Sequence, residues 1–291
     1  MEFVERLEEL HADRRHGAGF LARRAVEALV EVAEAPAADR EELVERVTVA
    51  ARQLANARPG VAAVAGALGR LLATIHSDAA QLPPVELRCL INAEALALID
   101  GRRRAAASIA VQLGERLEGR VVVTHSASAT VREAVLHTPP KLLVCTVSHP
   151  VEEGRAFAAE LSAEGIDVDL VADDDAPARV AEASLLLVGA DTVFRDGALC
   201  NKIGTRALAE AAAAHEVPMV VACELIKLAP VASDQATPLP PQVRRFFDVT
   251  PPGLVEAVVT EEGTYPTADV GMLVDHTPFL REGYALLRSA R

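Results

Sequence analysis

Leu185-Leu186-Leu187-Val188-Gly189-Ala190-Asp191 decides the fold. Four consecutive apolar residues suit a buried strand and are too few for a helix, and the Gly-Ala turn delivers a carboxylate to the strand's end. Similar runs flank it at Val121–Val123, Leu142–Val147, Val168–Val171 and Met219–Ala222. Between them lie Ala- and Glu-rich segments suited to helix, such as Val151–Glu164 and Ile203–His215. This alternation is the signature of a parallel sheet with crossover helices. It predicts a Rossmann-like ligand-binding domain over residues 118–291.

Upstream, the period changes from strand to helix. Phe3, Leu7 and Leu10, then Phe20, Leu21, Val26, Leu29 and Val30, then Leu43, Val44, Val47, Val49 and Leu54 recur at three- and four-residue intervals. Asp39 ends an Ala-Pro-Ala-Ala-Asp break and is a candidate N-cap. Pro59 interrupts the pattern, a helix follows over about Val61–Ile75, and Pro83-Pro84 opens a long helix to about Leu117. The expectation is an α/β protein with a helical N-terminal domain over residues 1–117.

The chain has 291 residues, 51% of them apolar, which excludes a disordered protein. No apolar run reaches the roughly 20 residues of a membrane span, and the acidic segment Met1–Leu10 lacks the layout of a signal peptide. A cytoplasmic protein is expected. A net charge of -13 makes direct nucleic-acid binding an unexpected role, because neutralising backbone phosphates needs a basic face. Cys89, Cys145, Cys200 and Cys223 show no zinc-type spacing and read as small buried apolar residues, so no metal and no cofactor is expected.

Of 29 basic residues only Lys141, Lys202 and Lys227 are lysines. A compact ammonium suits a single phosphate or hydroxyl better than a planar guanidinium does, which makes the retained lysines candidate ligand contacts. In open parallel sheets ligands sit at the carboxyl ends of strands. That rule selects Thr124-His125-Ser126-Ala127-Ser128, Gly189-Ala190-Asp191 and Cys223-Glu224. Asp191 is placed to act as a general base or to hold a hydroxyl. Further on, Asp196-Gly197 precedes Asn201-Lys202-Ile203-Gly204-Thr205, and the spacing predicts that Asn201 and Lys202 open the next helix, facing a phosphate together with its free N–H groups.

Leu187-Val188-Gly189-Ala190-Asp191, with Asn201-Lys202-Ile203-Gly204-Thr205 ten residues beyond the aspartate, resembles the central motif of the translation initiation factor 2B alpha/beta/delta superfamily. That superfamily includes ribose-1,5-bisphosphate isomerase and methylthioribose-1-phosphate isomerase. Val123-Thr124-His125-Ser126, Glu224-Leu225-Ile226-Lys227 and Phe247-Asp248-Val249-Thr250-Pro251-Pro252 are similar to further family segments. Gly17-Ala18-Gly19 and Ala57-Arg58-Pro59 match more loosely. The resemblance implies a ligand pocket of Arg58, Asn201, Lys202, Lys227 and the Gly17 turn, with Asp191 and Ser126 at the catalytic positions. It also implies a homodimer formed through the C-terminal face, for which Phe246, Phe247 and Val249 offer apolar surface.

Three departures matter. The isomerases pair the aspartate with a Cys where this chain has Ser126, and a hydroxyl needs a partner base where a thiol exchanges protons near neutrality. Ser148-His149-Pro150 stands where the family has Ser-Arg-Pro, and His16 precedes Gly17 where the isomerases have Arg. The expectation is a factor 2B-like protein that binds a phosphorylated sugar or nucleotide without isomerase chemistry. The alternative is an aldose-ketose isomerase of a C1-phosphorylated pentose, using Asp191 with Ser126 or Cys200.

Overall fold

Five helices precede the first strand in the computed structural model, which describes residues 3–77 and 81–288. They are α1 (Phe3–Ala12), α2 (Ala18–Glu34), α3 (Arg40–Asn56), α4 (Ala62–His76) and α5 (Pro84–Leu117). Asp39 caps α3 by accepting the Glu42 N–H at 2.9 Å, while the Glu42 carboxylate takes the Ala38 N–H at 2.7 Å. The first bond satisfies a donor that the helix start leaves orphaned, and the second ties the chain before the cap to the first turn. Pro84 starts α5, where a missing N–H costs nothing.

The remaining elements are β1 (Val121–Thr124), α6 (Ala129–His137), β2 (Leu142–Thr146), α7 (Glu153–Ala163), β3 (Val168–Val171), α8 (Ala176–Ala181), β4 (Leu185–Val188), β5 (Thr192–Phe194), β6 (Leu199–Lys202), α9 (Thr205–Ala214), β7 (Met219–Ala222), β8 (Leu228–Ala229), α10 (Pro241–Arg244), β9 (Phe247–Thr250), β10 (Ala257–Thr260), β11 (Gly263–Pro266), α11 (Val270–Asp275) and α12 (Pro278–Arg288). The main sheet runs β11-β10-β7-β4-β1-β2-β3, parallel except for β11. The α/β class predicted from the sequence is the class observed.

The strand order places the site. From β1 the chain steps to β2 and β3 on one side, and from the adjacent β4 it steps to β7 and β10 on the other. Connections therefore diverge between β1 and β4 and leave a crevice at their carboxyl ends. Ser126 follows β1 there, and Asp191 follows β4.

Alternate strand residues bury on opposite faces of the sheet. Val123, Val144, Leu186, Val188 and Val221 pack with residues of α8 and α9, while Val122, Leu143, Leu185, Leu187 and Val220 pack with α5, α6 and α7. The first half of α5, through Leu87, Ile91 and Leu98, belongs instead to the core of the helical layer. The last helix also returns to that layer: a Cβ built on Gly283 of α12 would lie 2.4 Å from the Gly69 backbone of α4. Backbone cannot swing aside as a side chain can. Gly283→Val is expected to lower the unfolding free energy by about 1–3 kcal/mol, read by urea denaturation.

A second sheet, β8-β5-β6-β9, grows from the loop that follows Asp191. The sequence spacing predicts Asn201 and Lys202 at a helix start; they lie on β6 instead, and α9 begins at Thr205 after Gly204 at φ +101°. The N–H groups expected to face a ligand are also taken. The Asp248 carboxylate accepts from Gly204 at 2.8 Å and from Arg206 at 3.2 Å. The cysteines depart in part as well, since Cys145, Cys200 and Cys223 are buried but Cys89 is exposed.

Candidate functional site

A cavity of about 510 Å³ occupies the crevice beneath the helical layer. Gly17 at the start of α2, Arg58 between α3 and α4, Ser126 after β1, Asp191 after β4, Asn201 and Lys202 on β6, and Lys227 in the turn after β7 all line it. Folding thus gathers Gly17, Arg58, Ser126, Asp191, Asn201, Lys202 and Lys227 around one cavity, and leaves Lys141 and Cys200 out of its lining. Close packing makes this possible at two points. A Cβ on Gly189 would lie 2.4 Å from Ser128 Oγ, and one on Gly66 of α4 would lie 2.1 Å from the Ile226 carbonyl beside Lys227. The third lysine, Lys141, is exposed elsewhere.

Asp191 sits deep, with part of its surface open to the cavity. Burial pushes its carboxyl up to about 6, against the opposing pull of Lys227, Lys202 and Arg58. The folded value exceeds the unfolded one, so the protonated form's stabilising contribution is complete below about pH 4 and is lost as pH rises through 6. Asp191→Asn should therefore match wild type near pH 4 and exceed it at pH 7.5, by at most about 3 kcal/mol in urea melts. A residue retained at that cost to stability fits a functional site.

Ser126 adopts φ +66°, a conformation L-residues rarely take, and a hydrogen-bond chain fixes it there. Its N–H donates to Ser148 Oγ at 2.8 Å, and Ser148 Oγ lies 2.8 Å from Thr146 Oγ1. Thr146 Oγ1 in turn lies 2.7 Å from His125 Nδ1. His125 Nε2 is 2.8 Å from the Ile203 carbonyl, which can only accept, so Nε2 carries the proton. Burial lowers the His125 pKa, and the ring's bonds lead away from the Ser126 hydroxyl.

That hydroxyl has another partner. Ser126 Oγ donates to Glu153 Oε1 at 2.5 Å, and Lys202 Nζ lies 2.7 Å from the same oxygen. On the far wall Lys227 Nζ lies 3.1 Å from Glu224 Oε2, and Arg102 donates to Glu224 Oε1 at 2.9 Å. Burial alone would push the Glu224 carboxyl up; Lys227 and Arg102 prevail and hold it at about 2. Arg102 also donates to the Gly19 carbonyl, which ties α2 to this wall. The buried Arg58 guanidinium donates to the Asp13 carbonyl at 2.5 Å.

Cys200 is fully buried outside the cavity lining, and burial followed by the nearby Asp191 charge pushes its thiol far above the usual range. His16 lines the cavity stacked on Phe20, with Nδ1 2.7 Å from Asp13. His149 is exposed, 3.4 Å from Glu152 and away from the cavity lining. Asn201 donates to Thr205 Oγ1 at 3.1 Å. Glu153 and Arg102 are absent from the sequence reading. Glu153 opens the helix after β2, so the strand-end rule extended to that strand would have found it; Arg102, midway along α5, carries no local signal.

Comparison with known proteins agrees with this fold. A family model, the Initiation factor 2 subunit family, matches residues 14–242. The ribose 1,5-bisphosphate isomerase of Haloferax volcanii is 30% identical over 284 residues, covering 89% of this chain and 87% of its own. The crystal structure of the Pyrococcus horikoshii translation initiation factor eIF-2B superposes with a TM-score of 0.77 at 28% identity, over 91% of this chain and 96% of its own. The tetrameric eIF2B-beta2-delta2 complex from Chaetomium thermophilum shares the fold, with a TM-score of 0.78 at 21% identity over 94% and 93% of the two chains. The match across most of the chain shows that this protein belongs to the initiation factor 2 subunit (IF-2B) family.

Proposed function

We propose that the chain binds a phosphorylated sugar or nucleotide in this cavity and acts in ligand sensing or assembly, as a factor 2B-like protein without isomerase chemistry. The convergence of buried Arg58, Lys202 and Lys227 on a cavity floored by Asp191 carries this reading. Cations already desolvated by folding bind an anion with little further reorganisation. Against isomerisation, the position of the family's thiol holds a hydroxyl bound to Glu153, and the one cysteine in the Asn-Lys segment is buried away from the cavity.

The second reading, an aldose-ketose isomerase, draws support from Asp191, whose pKa of about 6 suits a general base near neutrality. It also draws on the likeness to a ribose 1,5-bisphosphate isomerase. Thermal-shift screening of phosphosugars and nucleotides, followed by a turnover assay on each ligand found, separates the readings. Stabilisation without turnover supports the first, turnover by wild type supports the second, and no response to any phosphate removes both. Ser126→Cys is expected to raise turnover of a C1-phosphorylated pentose modestly, and Asp191→Asn in that background to abolish the gain.

Homo-oligomerisation belongs to the same proposal, and the tetrameric neighbour supports it. Phe246 and Phe247 line the cavity, which leaves Val249 on the edge strand β9 as exposed apolar surface. Light scattering should return at least twice the 30.8 kDa chain mass. A cytoplasmic location is proposed alongside; among the described residues no helix is long and apolar enough to cross a membrane.

A further inference from the structure

Glu153 is a carboxylate in an anion-binding cavity, and only one of its oxygens is accounted for. Oε1 accepts from Ser126 Oγ at 2.5 Å and pairs with Lys202 Nζ at 2.7 Å. Oε2 is buried and, among the described residues, has no hydrogen-bond partner. The side chain is held from several directions. Glu153 is the first residue of α7, where the helix dipole favours its charge. A Cβ on the following Gly154 would lie 1.8 Å from the Thr146 carbonyl, so the helix start is pinned to the end of β2. Ser126 is fixed by its N–H bond to Ser148.

An orphaned buried carboxylate oxygen is costly, and a ligand that donates to it recovers that cost. A carboxylate cannot accept from a bare phosphate dianion, and beside the lysine that would hold the phosphate it repels one. A ligand carrying a hydroxyl near its phosphate meets both demands, giving its phosphate to the cations and its O–H to Oε2. We propose that Glu153 is a specificity-determining residue that selects polyhydroxylated phosphates over bare ones, by accepting a ligand hydroxyl at Oε2 and penalising anions that bring none. This rests on the phosphate-binding reading of the cavity and adds which phosphates it takes. Sites built to bond a hydroxyl discriminate strongly against analogues that lack it, because the buried group is then left unpaired.

The test compares methyl phosphate with glycerol 3-phosphate by calorimetry, on wild type and on Glu153→Gln. The two probes share a phosphate monoester and differ chiefly in hydroxyl groups. Wild type should bind glycerol 3-phosphate at least about ten-fold more tightly. Glu153→Gln, which keeps the shape and removes the charge, should bring the two within about three-fold, mainly by tightening methyl phosphate as Lys202 is released from its ion pair. An unchanged ratio, or equal weakening of both probes, would overturn the inference while leaving phosphate binding intact. Absence of binding by either probe to either protein would remove the phosphate-binding reading and this inference together. If Glu153→Gln does not fold, a wild-type ratio near one is itself sufficient to refute the selection.

Discussion

Glu224→Gln is expected to lower the unfolding free energy at pH 7 by about 3 kcal/mol. The carboxylate is 3% exposed and faces two cations, Lys227 at 3.1 Å and Arg102 at 2.9 Å. Neutralising it strands both, and Lys227 has almost no access to water. The pH dependence follows from the depressed pKa. The folded value of about 2 lies below the ordinary 4.5, so the carboxylate's contribution is complete above about pH 4.5 and disappears as pH falls through 2. Urea melts of wild type and variant should therefore differ most near neutrality and converge in acid. An equal difference at every pH would assign the loss to packing rather than to charge.

Lys202→Ala is expected to abolish most of the stabilisation that a phosphorylated ligand confers. At a hundred times its dissociation constant, a ligand adds about 2.7 kcal/mol to wild type by mass action, visible as a rise in Tm. Lys202 is 8% exposed, lines the cavity and is held by Glu153, so its ammonium is already placed where a phosphate would meet it. The ligand-free variant should also lose some stability, because Glu153 then keeps a buried charge without its partner. Comparing the ligand-induced shift, rather than Tm itself, isolates the binding contribution. Equal shifts in both proteins for every ligand would show that the pocket is misassigned.

The fold was legible in the sequence wherever burial imposed a regular pattern. Leu185–Val188 and Met219–Ala222 read as strands because both sheet faces are covered, which leaves unbroken apolar runs, whereas Val168–Val171 is the half-exposed edge strand β3 and is interrupted by Asp169. The second sheet gave no such pattern. Its strands are two to four residues long, and β6 carries Asn201 and Lys202 while β9 carries Asp248. Polar residues chosen for a cavity and a helix cap hide a strand from any test based on apolar period. The same cause explains the misplaced helix start, since the carboxylate that fills it lies 44 residues away.

The candidate site divides along similar lines. Asp191 and Ser126 stand at strand ends beside Gly189 and in a Thr-His-Ser step, positions that local sequence marks. What their surroundings do to them was not visible there. That Asp191 is driven up to about 6, and that Ser126 is engaged by Glu153, both depend on residues brought together by tertiary packing. Arg102 reaches Glu224 from 122 positions away, and no local motif encodes that meeting.

Phosphorus NMR of ribose 1,5-bisphosphate mixed with equimolar protein tests at once whether the cavity binds a phosphorylated sugar and whether it leaves that sugar unisomerised. The ligand's resonances should shift or broaden on mixing, and with time no ketose bisphosphate signal should grow. Steady conversion to the ketose by wild-type protein, or resonances identical to those of the free ligand, would contradict the proposed function.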